Sequence, residues 1–141
     1  MSKMVYIGLF LPQASKATLL AWWKLNVGPL LSDVKAEHIT LKFKPKEEDL
    51  ISYPMDQLGK LNTSIKVIGY AQNNNCQAVH VFCSEFKSHN KYPHITIAVD
   101  GVPPSYSSEL LLNADNNGTL IKVDGPELIG IFDSFPRTKS E

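Results

Sequence analysis

Histidine is the side chain best suited to exchanging protons near neutral pH. Two of the four histidines in this chain stand in the same local setting. One stretch reads Glu37-His38-Ile39-Thr40-Leu41-Lys42-Phe43, and the other reads Tyr92-Pro93-His94-Ile95-Thr96-Ile97-Ala98-Val99. Both alternate as strands do, and in a strand residues i and i+2 share a face. His38 and Thr40 therefore point one way while Ile39, Leu41 and Phe43 point the other. His94 and Thr96 share a face in the same manner, opposite Ile95, Ile97 and Val99. Each unit pairs an imidazole with a hydroxyl on the polar side of a strand whose other side belongs to a core. Two such units facing each other would hold a phosphate between an acid and a base, with two hydroxyls donating to its oxygens.

A lone histidine in a strand is usually structural, satisfied by a backbone carbonyl. The duplication argues otherwise, with each copy followed by an aliphatic residue. The copies are 56 residues apart (94 − 38), which suits one copy in each half of a pseudo-symmetric domain. His80 lies on an alternating strand and reads as structural. His89 lies in a polar loop and reads as exposed.

Three further residues are candidates for substrate contact. Tyr6, on the first strand, is placed to stack on a base or bond a phosphate oxygen. Lys42 continues the His38–Thr40 parity and would then reach the phosphate. Ser107, with Ser105 and Tyr106, follows the second unit and is placed either at the cleft entrance or as a helix cap. Phe132 and Phe135 read as core or rim.

The elements that position these residues follow in order. A strand over 5–11 ends at Pro12. Ser15 is a candidate helix N-cap for a helix over 16–26, closed by Gly28-Pro29. Trp22 and Trp23 cannot both face the core. Residues 30–36 form a connection, and the His38 strand ends at Pro45. A charge run over 46–49 reads as a loop or a single helical turn. Runs over 64–72 and 77–86 flank Asn73-Asn74-Asn75 as a hairpin. After the His94 strand, Ser107 or Ser108 caps a short helix through Leu112, and a turn covers 115–118. Strands over 119–123 and 127–132 follow, and the polar tail over 134–141 reads as frayed. The order β-α-β, β-β-β, α-β-β predicts an α+β fold with a largely antiparallel sheet.

The chain has 141 residues, enough for one domain with a sizeable core. Lys plus Arg and Asp plus Glu both number 14, so the net charge is zero. Long nucleic acids are gripped through many basic contacts to phosphate, so neutrality favours a small nucleotide or an RNA end as partner. Cys76 and Cys83 have neither a zinc-type nor a C-x-x-C spacing. No signal-peptide pattern or long apolar run is present. The expected setting is cytosolic, with reduced thiols, no membrane, no metal and no cofactor; nothing in the pattern speaks to oligomeric state.

The paired motifs resemble those of the 2H phosphoesterases. His38-Ile39-Thr40-Leu41-Lys42-Phe43 is similar to the first motif of the LigT-like RNA cyclic phosphodiesterases, Pro93-His94-Ile95-Thr96-Ile97 to their second, and Tyr6-Ile7-Gly8-Leu9-Phe10-Leu11-Pro12 to their first strand. The segment Gly101-Val102-Pro103-Pro104 with Ser107 is similar to 2H domains linked to RNA-repair ligases. The resemblance implies a bilobal, pseudo-symmetric fold with antiparallel sheets around a central cleft. It implies a metal-independent phosphodiesterase that opens a 2′,3′-cyclic phosphate, His38 and His94 serving as acid and base and Thr40 and Thr96 as donors. The short spacing and small size also fit a phage-type nuclease that degrades cyclic oligonucleotide defence signals. A module that binds nucleotide without turnover is the alternative of another class.

Overall fold

The computed structural model describes residues 4–137. Eight strands, β1 (Tyr6–Phe10), β2 (Asp33–Val34), β3 (His38–Phe43), β4 (Asn62–Gln72), β5 (Cys76–Phe82), β6 (His94–Val99), β7 (Ile121–Lys122) and β8 (Glu127–Phe135), combine with helices α1 (Gln13–Asn26), α2 (Glu47–Leu50) and α3 (Tyr106–Asn116). The fold is α+β, as the sequence predicts, and every strand pairing is antiparallel. The pairings run β6-β3-β1-β8-β4-β5 and return from β5 to β6, closing a ring of strands. Closure leaves the two-residue β2 and β7, each paired on one side, as short edges, and short edges are a way to limit the edge pairing that invites aggregation. The β3–β6 seam is the narrowest join, with Ile39 and Ile95 its only bridged pair.

Alternation explains the core. Ile7, Leu9, Ile39, Leu41, Ile65, Val67, Val79, Val81, Ile95, Leu128 and Phe132 turn to one side of their strands and pack together with Leu19 and Trp23 of α1. Trp23 is fully buried and Trp22 partly so, as their spacing requires. A Trp→Ala change at such a site costs about 3–5 kcal/mol. A second cluster forms where Leu110, Leu111 and Ala114 of α3 cover Cys76, Ala78 and Val99. Both His-x-Thr units thus lie on strands whose opposite side is anchored in the core.

Several boundaries differ from the sequence reading. The first helix begins at Gln13, directly after Pro12 at its N-cap. Ser15 lies inside the first turn, where its hydroxyl accepts from the Ile129 N–H at 2.9 Å. The connection over 30–36 contains β2, which pairs with the far end of β6. The run through Phe86 ends as a strand at Phe82, while Phe86 folds back onto Phe132 with ring centroids 4.9 Å apart. Helix α3 starts before Ser107 and runs on to Asn116; the chain turns at Gly118, whose φ of 74° suits glycine after a helix end. Ser134 and Phe135 are not frayed. They extend β8 because Ile7 and Tyr6 supply partners for them. The rest of the expected frayed tail, beyond residue 137, lies outside the described residues. Among the described residues no helix is long and apolar enough to cross a membrane.

Candidate active site

Tyr6, Lys35, Glu37, His38, Thr40, Phe43, His94, Thr96, Pro104 and Ser105 line one cavity of about 270 Å³. All four residues of the two His-x-Thr units are therefore in the same place. The register explains why. β3 and β6 run antiparallel through the Ile39–Ile95 bridge, so the His38 end of one unit approaches the Thr96 end of the other. Thr40 approaches His94 by the same geometry.

The two units repeat each other in detail. In β3 the register with β1 goes from Thr40↔Gly8 to Lys42↔Ile7, leaving Leu41 as an extra residue. In β6 the register with β5 goes from Thr96↔Ala78 to Ala98↔Gln77, leaving Ile97 as an extra residue. Each threonine is thus followed at once by a β-bulge, a device that re-aims side chains beside functional sites. Each threonine faces a small residue, Gly8 or Ala78, and each histidine faces a ring, Phe10 or His80.

The first bulge corrects one expectation. Because Leu41 is extra, Phe43 pairs with Tyr6 on the cleft side and Lys42 pairs with Ile7 on the other. Lys42 does not line the cavity; Phe43 does, and its side is 58% exposed. Simple alternation through the strand could not reveal this. Ser107 is also displaced from its expected place. It is fully buried within α3, beneath Thr96 rather than at the entrance, and Ser105 takes the lining position. Tyr6 lines the cavity, stacked on His38 with centroids 4.9 Å apart.

Lys35 and Glu37 were missed by the sequence reading. The backbone N–H groups of Lys35 and Ala36 bond the carbonyls of Ile97 and Thr96, which fastens this segment along β6. Ala36 takes a φ of 52°, a strained conformation for a non-glycine residue. It turns the chain from β2, which runs along β6, into β3, bringing both neighbours to the cleft. The closest sequence signal was the charged pair flanking Ala36 immediately before the first motif.

The histidines have distinct environments. His94 Nδ1 lies 2.8 Å from the Tyr92 carbonyl. A carbonyl only accepts, so Nδ1 carries the proton and Nε2 is the nitrogen left for the cleft. Burial pushes the His94 pKa below its ordinary 6.5, and the Tyr92 carbonyl partly offsets this. His38 is pushed down to about 4, by burial first and by proximity to His94 second. Burial and the Glu37 carboxylate raise Tyr6 to about 12, so its phenol remains a donor. Outside the cleft, His80 meets the Tyr92 ring edge-on at 5.6 Å, and His89 is exposed.

The two threonines differ as well. Thr40 Oγ1 bonds no described side chain, while the Thr40 carbonyl accepts from Ser88 Oγ at 2.9 Å. Thr96 Oγ1 donates to the Pro104 carbonyl at 3.1 Å and lies 2.7 Å from Ser107 Oγ. Among the described residues no group of three or more His, Cys, Asp or Glu side chains is placed to hold a metal ion.

No family model matches the sequence, and no curated protein matches it. A solved structure described as that of a fungal RNA kinase is similar, with a TM-score of 0.61 and 18% sequence identity. The match covers 93% of this chain and 45% of that one, so the chain spans less than half of that protein's length. At this identity the likeness establishes a common fold.

Proposed function

We propose that this protein is a phosphodiesterase of the 2H type that opens a nucleotide 2′,3′-cyclic phosphate. The observation that carries the reading is the meeting of two matching, bulged His-x-Thr strands in one cavity around the Ile39–Ile95 bridge. Their quasi-twofold relation also supports the pseudo-symmetric, two-lobed arrangement of that family. The name of the fungal protein refers to RNA, which agrees with an RNA end as substrate.

The geometry suggests a division of labour. His38, held neutral by its surroundings, takes a proton from water as the water oxygen attacks phosphorus. The bond from phosphorus to one ribose oxygen breaks. That oxygen receives a proton from His94 Nε2, whose ring is held by its Nδ1 bond to Tyr92. Thr40 and Thr96 donate to the non-bridging oxygens as charge grows there. The product is a phosphate monoester on the nucleotide.

The test is hydrolysis of 2′,3′-cyclic nucleotides, short RNAs with cyclic-phosphate ends, and cyclic oligonucleotides, with and without EDTA. Turnover that survives EDTA and is lost in His38→Ala and His94→Ala supports the proposal. Equal inertness of wild type and both variants on both kinds of 2′,3′-cyclic phosphate sinks it, and turnover of cyclic oligonucleotides alone would assign the site to defence-signal cleavage instead. Tight nucleotide binding without turnover would instead identify a binding module.

A further inference from the structure

The chain contains a single arginine among its 14 basic residues, and it stands beside the cleft. Arg137 Nε donates to Asp133 Oδ2 at 2.8 Å. Its guanidinium carbon lies 4.4 Å from the centroid of the Phe10 ring. Phe10 in turn touches His38, with centroids 5.3 Å apart. Two ring contacts therefore separate the guanidinium from a histidine of the site.

The sheet register puts this pair on the cleft side. Asp133 pairs with Gly8, and Gly8 pairs with Thr40. Directly paired residues in antiparallel strands share a face, so Asp133, Gly8 and Thr40 form one row. Gly8 has no side chain, and β1 places nothing between Asp133 and Thr40. The Asp133 side chain is 1% exposed and that of Arg137 is 47% exposed. What solvent or substrate meets is the cation, with the carboxylate behind it.

The anchoring is specific. Asp133 Oδ1 accepts from the Ser134 N–H, and Ser134 Oγ donates to the Pro136 carbonyl. These bonds fix the turn from which Arg137 projects. Once Nε is committed to Asp133, the two terminal nitrogens of the planar fork have no hydrogen-bond partner among the described residues. Such a fork matches a phosphate, and a lysine could not serve the aspartate and a phosphate with the same geometry.

We propose that Arg137, held by Asp133 over the Phe10 ring, binds a second phosphate of the substrate, one nucleoside away from the phosphate between the histidines. The inference rests on the proposed nucleotide chemistry and narrows its substrate to one with two phosphates. Turnover is compared for adenosine 2′,3′-cyclic phosphate, the same nucleotide carrying a 5′-phosphate, and the dinucleotide ApA ending in a 2′,3′-cyclic phosphate. Wild type should prefer both two-phosphate substrates. In Arg137→Lys, the ratio of kcat/KM for each over the plain cyclic nucleotide should fall about tenfold.

Removing Arg137 alone takes a salt-bridge partner from a buried carboxylate and threatens folding. The double variant Asp133→Asn with Arg137→Met removes both charges and should show the same fall in ratio. Unchanged ratios in both variants overturn the proposal. So does a response confined to the dinucleotide, which would assign the preference to the second nucleoside. If wild type turns over none of the three, the proposed function fails separately. Calorimetric affinities of adenosine 3′-phosphate and ApA 3′-phosphate then decide: an affinity ratio that collapses in both variants upholds the phosphate site, and an unchanged one overturns it.

Discussion

Ser107 Oγ lies 2.7 Å from Thr96 Oγ1, inside a chain of hydroxyls that has no counterpart beside Thr40 among the described residues. Thr96 gives its proton to the Pro104 carbonyl, so Ser107 is the donor between the two hydroxyls. Behind Ser107, Cys76 Sγ lies 3.4 Å away, and burial keeps that thiol protonated by raising its pKa. The order of donation is Cys76 to Ser107 to Thr96. To serve a phosphate, Thr96 must turn from Pro104 while Ser107 continues to hold it.

Ser107→Ala should therefore lower kcat about five- to tenfold, with little change in KM, and cost about 1 kcal/mol of stability. A purely structural role for Ser107 would shift the unfolding midpoint and leave kcat intact. Steady-state kinetics beside urea denaturation separate the two.

The histidine environments set a pH profile. In the proposed mechanism His38, as base, must be unprotonated and titrates at about 4, while His94, as acid, must be protonated and is shifted below 6.5. For free enzyme, kcat/KM should peak in mildly acidic solution, with limbs that belong to the coupled pair. Bound phosphate favours the protonated forms, so the kcat profile should lie at higher pH. His38→Ala should lose the acid limb and His94→Ala the alkaline limb in whatever activity remains. A profile flat between pH 4 and 7 in wild type would contradict the assignment.

The same shift makes stability depend on pH. His38 titrates at about 4 when folded and near 6.5 when unfolded. The unfolded chain thus binds the proton first. Stability is lost as pH falls through 6.5, and the loss is complete below about 4, reaching at most about 3 kcal/mol. His94 and His80 are shifted in the same direction and add to it. Urea midpoints between pH 7 and 4.5 should fall less steeply for His38→Gln than for wild type.

Much of this site was legible in the chain. Period-two alternation revealed both His-x-Thr strands and the side of each that carries Ile39 or Ile95, and helical spacing revealed the split between Trp22 and Trp23, because those features depend only on neighbouring residues. What alternation missed depends on partners far away. Leu41 and Ile97 are extra residues only with respect to β1 and β5. Ser134 and Phe135 are strand only because β1 lies beside them. Ala36 adopts its left-handed turn because β6 supplies acceptors for the segment around it. Arg137 gave no periodic signal, and its relation to Phe10 and Asp133 exists only in the folded sheet.

Gly8 tests the close approach of β1 to the first motif. A Cβ there would stand 2.4 Å from the Ile39 carbonyl oxygen, which is backbone and cannot swing aside. Gly8→Ala must push β3 away at the residue that bridges to Ile95 and precedes Thr40. The loss of stability should be about 1–3 kcal/mol, the usual range for overpacking. The loss of activity should be larger, on the order of a hundredfold, because displacements near 1 Å at a reacting centre have that effect. An active Gly8→Ala variant with only a lowered melting temperature would mean that the position of Thr40 does not limit the reaction.

Lys35 and Lys42 offer the sharpest contrast between parity and structure. Plain alternation from His38 selects Lys42, but the Leu41 bulge turns it to the side of Ile7. Lys35 reaches the cavity instead, with its ammonium 3.3 Å from Asp33 in a half-exposed pair. Exposed ion pairs of this kind contribute little, so the ammonium can exchange Asp33 for a phosphate oxygen at small cost. Lys35→Met should reduce kcat/KM about tenfold at low salt, and the effect should shrink as salt screens the attraction. Lys42→Met should stay within twofold of wild type at every salt concentration. The reverse result would mean that β3 is not bulged at Leu41, and the placement of Phe43 in the cleft would fall with it.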